Sequence, residues 1–334
     1  MIMRFLVTLF ALLMLAPAQA LTVEEIGGGA ERLLKEGRFD ELDRLASEYI
    51  RQDTRLVAGN SALYHFYDTL GGFKESGNFG FASTIPRARK DELLMRWLEK
   101  KPESVAVRLA LAEFWTIDAW NTRGEKAASD IPESVWKAFR WRMNQARLFL
   151  DQVKSRDDPH FYYLQIDIAK GLDDKAAIDA NFEAGRKRFP NYFHYYSQRA
   201  SLLQEKWFGD PGELQSYVRS LAVKPGGDDG LIAYSYVTWE MMKYMGGKRA
   251  MQEVGLQWPA IKAGYAAREK RYGLRNRDWN VLCVMAVTAG DRPAAKTALA
   301  QIGTNWTSAA WGNQKEFNKW VDWIQSGDPQ PSKQ

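Results

Sequence analysis

The chain has 334 residues, with 46 Lys or Arg and 41 Asp or Glu, and its formal net charge at neutral pH is +5. A positive excess this small, spread over the whole chain, gives no indication of a nucleic-acid partner. Aromatic residues are frequent (13 Trp, 14 Tyr and 16 Phe), whereas Cys283 is the single cysteine, which excludes an internal disulfide.

The first twenty residues, MIMRFLVTLFALLMLAPAQA, have the pattern of a secretory signal peptide. Arg4 precedes an apolar run from Phe5 to Ala16, and Ala18 and Ala20 match the small-residue site that signal peptidase cleaves. The run is shorter than the roughly 20 residues that span a bilayer, and an uncleaved anchor is the alternative interpretation. The sequence predicts cleavage after Ala20, a periplasmic or secreted protein of a Gram-negative bacterium, and no stable membrane insertion after cleavage.

Apolar residues recur at helical spacing in the rest of the chain, and few segments alternate as strands do. The segment EEIGGGAERLLKEGRFDELDRLASEYI contains a helix with Ala30, Leu33 and Leu34 on one face. A turn at Gly37 follows, and then a second helix capped by Asp40. We interpret the glycines of IGGGA as a flexible start of the mature chain. The pattern predicts antiparallel helical hairpins.

Prolines in the second half of the chain recur with the period of a tetratricopeptide repeat. Pro190, Pro225 and Pro259 are 35 and 34 residues apart, and a 34-residue helical hairpin of that class ends with a proline after its second helix. Phe182 and Tyr217 each lie eight residues before their proline, where the repeat has an aromatic. A last unit combines the helix WNVLCVMAVTA, the turn GDRP and the helix AAKTALAQI.

The predicted fold class is therefore all-α, a tetratricopeptide-like α-solenoid of antiparallel helical hairpins. Its predicted parts are the signal peptide 1–20, N-terminal hairpins over 21–90, the repeat domain over 91–325 and a disordered tail over 326–334. His160 and His194 are 34 residues apart and each precedes aromatic residues. Repeated units duplicate their packing residues, so we predict packing or capping roles for both histidines, near the start of successive first helices.

Four segments in a fixed order carry a resemblance to a known family. The first, PESVAVRLALAEFWTIDAWNTRG, has a Pro-x-Ser start, an alanine-rich helix and an Ala-Trp-x-x-Arg-Gly end. The others are VWKAFRWRMNQARLFLDQV, HYYSQRASLLQEKWFGDPGE and AVTAGDRPAAKTALAQIGTNW. Over about residues 85–312 the chain resembles the bacterial family called domain of unknown function 4034, a tetratricopeptide-like group. Glu205 and Lys206 replace its usual Pro-Arg before the Trp of the third segment. The resemblance implies the repeat fold and no known reaction.

The sequence has no recognisable catalytic or metal-binding motif. It lacks G-x-S-x-G, H-E-x-x-H, C-x-x-C and the phosphate loop G-x-x-x-x-G-K-[ST]. Pairs of carboxylates lie in predicted turns, where helix capping explains them, at Asp157-Asp158, Asp173-Asp174 and Asp228-Asp229. The sequence predicts no enzyme, no catalytic residue, no cofactor and no metal site. The alternative is a cell-wall-acting or other envelope enzyme with an unrecognised site.

Two stretches are candidates for a binding surface. KWFGDPGE has aromatic side chains on a turn, and a pair of tyrosines precedes it; REKRYGLRNRD is rich in arginine. The alternatives are a turn held in the core by its tryptophan and an ordinary solvated helix end. The candidate binding residues are Trp207, Phe208, Asp210, Tyr195, Tyr196, Arg268, Arg271 and Arg275. The sequence predicts an exported binding or scaffold protein with a protein or peptide partner. Cys283, in an apolar helix, is interpreted as a core residue.

Overall fold

The structure is a computed structural model that describes residues 21–76, 81–222, 227–326 and 329. This part of the chain is all-helical, with 76% helix and no strand, and it forms a solenoid of helical hairpins as predicted. Its helices are α1 Val23–Glu36, α2 Phe39–Gln52, α3 Ala62–Gly71, α4 Arg87–Lys100, α5 Val105–Arg123, α6 Glu133–Asp151, α7 Pro159–Gly171, α8 Lys175–Arg188, α9 His194–Leu202, α10 Glu213–Ala222, α11 Gly227–Glu253, α12 Trp258–Tyr272, α13 Asn276–Ala289, α14 Arg292–Ile302, α15 Ser308–Trp311 and α16 Gln314–Ser326.

The predicted signal peptide lies outside the described residues, as does the predicted tail apart from Ser326 and Pro329. None of the helices in the described ranges combines the length and the apolar character needed to cross a membrane. The predicted boundary between residues 90 and 91 falls inside α4. One hydrophobic cluster, from Ile26 to Leu202, includes residues on both sides of that point.

The first hairpin forms where the sequence predicts it. Gly37 ends α1 in the left-handed conformation, with φ 71°, which a glycine adopts without a steric penalty. Two details of the prediction are wrong. The IGGGA glycines lie inside α1, because Thr22 and Glu25 form a capping box that starts the helix before them. Asp40 lies in the first turn of α2, where it faces the positive end of the helix dipole, and is not the cap.

The odd-numbered helices from α1 to α13 form an inner layer in which each helix packs against the next. The even-numbered helices from α2 to α14 cover this layer from outside. The composition of the helices explains the division: α3, α5 and α7 have mostly buried side chains, whereas α4, α6 and α8 each bury a single stripe. Gly185 of α8 permits one close approach, since a Cβ there would lie 3.0 Å from Tyr162.

The row of helices curves until its N-terminal part contacts α11 and α12. The carbonyl oxygen of Ala58, in the loop between α2 and α3, accepts hydrogen bonds from the Tyr236 hydroxyl and from Nε of Arg268, each at 2.7 Å. Arg268 is 1% exposed, and its Nη2 lies 3.3 Å from Asp278 of α13. We call Ala58, Tyr236, Arg268 and Asp278 the clasp. Because two of its hydrogen bonds join residues 178 and 210 positions apart, it closes the curvature of the solenoid.

The proline period is confirmed in part. Pro190 follows the end of α8, as predicted for the close of a hairpin. Pro225 lies outside the described residues. Pro259 does not close a helix: it is the second residue of α12, where a proline is tolerated because its missing N–H has no helical partner. The reason is that α11 runs for 27 residues, with a break at Gly246, and displaces the repeat.

The last predicted unit is confirmed by α13 and α14. Asp291 caps α14 by accepting a hydrogen bond from the backbone N–H of Ala294, and Pro293 occupies the first turn. Cys283 of α13 is fully buried, as predicted, and its Sγ lies 3.5 Å from the carbonyl oxygen of Ala295. Burial raises the pKa of the Cys283 thiol to about 12.

Substitution of Cys283 by Ser should lower the free energy of unfolding by about 1–3 kcal/mol. The hydroxyl is more costly to remove from water than the thiol, and the acceptor at Ala295 is too far away for a good hydrogen bond. Chemical denaturation measures the loss. In the native wild-type protein, the thiol should react with a maleimide only at the rate of unfolding. Fast stoichiometric labelling of the native protein contradicts the buried assignment.

Candidate functional site

All three histidines of the chain converge on the ring of Tyr64, which projects from α3. The His194 ring is parallel to it with 3.8 Å between centroids, and the rings of His65 and His160 lie 5.4 and 6.0 Å away. His160 and His194 lie in the first turns of α7 and α9, which confirms their predicted places. His65 has no place in the repeat pattern, and the sequence analysis therefore missed it.

His160 is held by two hydrogen bonds. Its Nε2 lies 2.8 Å from Oε2 of Glu113 on α5, and its Nδ1 lies 2.8 Å from the hydroxyl of Tyr192. The carboxylate can only accept, so we assign the ring proton to Nε2; the Tyr192 hydroxyl then donates to Nδ1. The rings of Tyr67 and Tyr163 stack near the imidazole, at 4.7 and 5.3 Å. The fully buried imidazole is occupied at both nitrogens, which supports a packing role.

Asp158 attaches the same region to α3. One carboxylate oxygen accepts the backbone N–H of His160 at 2.8 Å and caps α7, and the other accepts the Tyr67 hydroxyl at 2.7 Å. Tyr67 and Asp158 are 91 positions apart in the sequence but are in contact in the fold. Together with the Glu113–His160–Tyr192 bonds, this arrangement holds α3, α5, α7 and the start of α9 in fixed relative positions.

A second carboxylate lies close to Glu113. Asp68 is one turn of α3 beyond His65, and it is almost completely buried. Burial, with a further contribution from the charge of Glu113, raises the pKa of Asp68 to about 7, against the opposing charge of Lys90. Burial also raises the pKa of Asp167 on α7. The inner layer therefore contains a carboxyl group that is partly protonated at neutral pH.

Substitution of Asp68 by Asn should flatten the pH dependence of stability. A folded pKa of about 7 against an ordinary value of 3.8 means that folding disfavours the ionised form. Below pH 3.8 the Asp68 carboxyl is protonated in both states and does not reduce the free energy of unfolding. Part of that free energy is then lost as the pH rises through 7. Above that pH, the Asn variant should melt at or above the wild-type temperature in thermal scans. The exposed variant Asp210→Asn should keep the wild-type profile. A lower melting temperature for Asp68→Asn at high pH contradicts the assignment.

Several polar atoms next to these groups have no hydrogen-bond partner among the described residues. They are both ring nitrogens of His65, Nε2 of His194 and Oε1 of Gln198, which is one turn along α9. Burial, with help from the charges of Arg275 and Arg277, lowers the pKa of His65 to about 4. Burial also holds the pKa of His194 well below its usual range. Both imidazoles are thus neutral at neutral pH and can each donate one hydrogen bond and accept another.

These side chains continue along the inner layer towards the KWFGDPGE turn. The ammonium group of Lys170, at the end of α7, lies 4.4 Å from the ring of Trp120 and 4.7 Å from the ring of Trp207. Trp207 is 40% exposed, so the interpretation that it holds the turn in the core is wrong. We call this surface the inner face and define it by Tyr64, Trp120, Tyr163, Asp167, Lys170, His194, Gln198 and Trp207; all but the exposed Trp207 are partly buried.

The other aromatic candidates have different positions. Tyr195 is fully buried and donates its hydroxyl hydrogen bond to the carbonyl of Pro159, so it is not available to a partner. Tyr196 is partly buried and donates to the carbonyl of Pro190 at 3.0 Å. Phe208 packs against the main core cluster. Asp210 is exposed at the turn, and its backbone N–H donates to the carboxylate of Glu213.

The basic stretch divides in the same way. Arg268 is buried in the clasp and cannot form part of a free surface. Arg271 is exposed and pairs with Asp229. Arg275 precedes the first turn of α13 and is partly buried; its backbone N–H and its Nε both donate to the Asp278 carboxylate, at 3.1 and 3.0 Å. The interpretation as a simple solvated helix end therefore applies to Arg271 and fails for the other two. In the described ranges, no group of three or more His, Cys, Asp or Glu side chains is arranged to hold a metal ion.

The fold and the inner face define an all-α solenoid with a polar and aromatic inner surface. No family model matches the chain, and neither a curated protein nor a solved structure matches it.

Proposed function

We propose that the protein is an exported helical-repeat binding protein, and that its inner face holds a peptide or an extended segment of a protein partner in the periplasm. The observation that carries the proposal is the set of unpaired polar atoms on the inner face, beside the Glu113–His160–Tyr192 network. Polar groups that are buried without partners are costly, and a bound ligand can pair them. The resemblance to domain of unknown function 4034 agrees with a repeat protein and adds no reaction.

The chemistry of the inner face suits a peptide. A peptide in an extended conformation presents N–H and C=O groups in turn, which complement a neutral imidazole at His194 and the amide oxygen of Gln198. Tyr64, Tyr163 and Trp207 offer rings for apolar side chains, and such rigid aromatics carry much of the energy of protein interfaces. Helices on a fixed scaffold lose little entropy on binding, because the buried hydrogen bonds already hold them in place.

Affinity capture from an envelope fraction tests this surface with a matched pair of tryptophan variants. Trp207 belongs to the inner face, and Trp141, which is 52% exposed, lies on α6 in the outer layer. Wild type and Trp141→Leu should retain the same partner, whereas Trp207→Leu and Tyr163→Leu should each lose about tenfold or more in affinity. Loss of the partner in Trp141→Leu alone would place the binding surface on the outer layer and contradict the proposal.

A second candidate function is an envelope enzyme, favoured by one observation. Asp68, with a pKa raised to about 7 by burial and by the Glu113 charge, could donate a proton at neutral pH, and Glu113 provides the second carboxyl that acid–base hydrolysis needs. Release of soluble fragments from purified murein tests this candidate. Activity that is abolished in Asp68→Asn while the variant stays folded would favour the enzyme over the binding protein.

A further inference from the structure

We propose that the end of the inner face next to α13 is a carboxylate site, formed by His65, His194 and Arg275, which receives the C-terminal carboxylate of the bound peptide. This inference rests on the proposed function, because it names the part of the peptide that the surface recognises. None of these three residues is used by the Glu113–His160–Tyr192 network.

The charges at this end are not balanced. Arg268 and Arg275 share a single carboxylate, Asp278, at 3.3 and 3.0 Å. Arg277, in the first turn of α13, has its guanidinium carbon 4.8 Å from the ring centroid of Trp239. Three guanidinium groups therefore face one carboxylate. The resulting positive potential favours an anion, and guanidinium groups bind carboxylates with good geometry.

Hydrogen-bond donors are also left over at the same end. His65 is 5% exposed, yet neither of its ring nitrogens has a partner among the described residues. Nη2 of Arg275 and Nε2 of His194 are also buried, and neither has a partner in the part of the chain that the structure describes. A carboxylate accepts about four hydrogen bonds, so it can satisfy the free N–H of Arg275 and one N–H from each imidazole. A neutral or cationic group satisfies the histidines but leaves the guanidinium charges uncompensated.

A chain of contacts within the fold links these residues, and the charge of Arg275 acts on both imidazoles. The His194 ring lies against Tyr64, whose sequence neighbour is His65, and Phe193 stacks on Tyr236 with 5.2 Å between centroids. Tyr236 in turn lies 4.0 Å from the guanidinium of Arg268. Through Asp278 this chain of contacts reaches Arg275, the residue just before the first turn of α13.

The test uses the full protein and simple probes: acetate, inorganic phosphate, trialanine with a free C-terminus and trialanine with a C-terminal amide. The signals of the three histidine rings are followed by NMR at neutral pH and assigned with His→Gln variants. We expect trialanine and acetate to move the His65 and His194 signals saturably and to leave His160 unchanged. The amide should bind about tenfold or more weakly than the free acid.

Variants then separate a local effect from a general one. Arg275→Gln should reduce trialanine affinity about tenfold or more, and Arg275→Lys, which keeps a charge, should recover part of it. Arg271→Gln, at the exposed pair with Asp229, should leave binding unchanged. Absence of a saturable shift at His65 in the wild-type protein overturns the site whatever the variants do. Binding of phosphate but not of trialanine overturns its assignment to a peptide carboxylate.

The two proposals can fail separately. Acetate and trialanine binding with no partner on the inner face would contradict the proposed function and leave the carboxylate site standing. A partner that binds the inner face equally well with a free or an amidated C-terminus would contradict the carboxylate site alone.

Discussion

Substitution of Asp278 by Asn should lower the free energy of unfolding by about 3–5 kcal/mol. The change leaves the guanidinium of Arg268 buried without a compensating charge, and a buried ion that loses its partner costs that much. Arg268 also donates to the carbonyl of Ala58, so the loss should weaken the clasp between the N-terminal loop and α12. Urea denaturation followed by circular dichroism measures the change.

The Arg268–Asp278 pair should also make the stability depend on pH. Burial raises the pKa of Asp278, but the charges of Arg268 and Arg275 outweigh it, and the net effect lowers the pKa. A lowered folded pKa contributes stability that is present above the unfolded pKa and is lost as the pH falls through the folded pKa. The stability difference between wild type and Asp278→Asn should therefore shrink in acid. The matched variant Asp229→Asn, at the partly exposed Arg271 pair, should cost about 1 kcal/mol or less. Equal losses in both variants would contradict the clasp.

Substitution of His160 by Phe should also cost about 3–5 kcal/mol. Phe fills the space between the tyrosine rings but cannot donate to Glu113 or accept from Tyr192. A buried carboxylate and a buried hydroxyl then lose their partners at once. The expected loss is greater than a simple packing residue would cause, because both ring nitrogens are bonded.

His194→Phe is the matched control for that variant. His194 stacks on Tyr64, a contact that Phe can keep, and its Nε2 has no hydrogen-bond partner among the described residues. We expect a loss of about 1 kcal/mol or less, since no buried partner is left unpaired. Thermal and chemical denaturation of the two variants compare the losses directly. A smaller loss for His160→Phe than for His194→Phe would contradict the assigned network.

The hairpin fold follows from local signals in the sequence. Gly37 and the GDRP turn end and start helices through backbone and capping preferences that involve neighbours in the chain. Pro259 shows the limit of that reasoning. A proline fits either after a helix or in the first turn of one. Pro259 lies in the first turn of α12 because α11 is long, and the length of α11 depends on packing that the local sequence does not indicate.

The inner face depends on contacts between distant parts of the chain. Glu113 and Tyr192 meet His160 across 47 and 32 positions, and the repeat spacing indicated only that His160 and His194 occupy equivalent places. His65 gave no signal, because its position in α3 falls outside the period. The exposure of Trp207 agrees with its prediction as a binding residue, whereas the contact of Lys170 with its ring joins distant residues and could not be read from the sequence.

The most direct test of the central claim is site-specific photo-crosslinking in living cells. A photoreactive amino acid at Gln198 samples the inner face, and the same amino acid at Leu148, which is 54% exposed on α6, samples the outer layer. Neither position belongs to the clasp or to the His160 bonds. We expect one discrete crosslinked partner from position 198, competed by that partner's own C-terminal peptide, and none from position 148. A partner crosslinked from position 148 and absent from position 198 would contradict it.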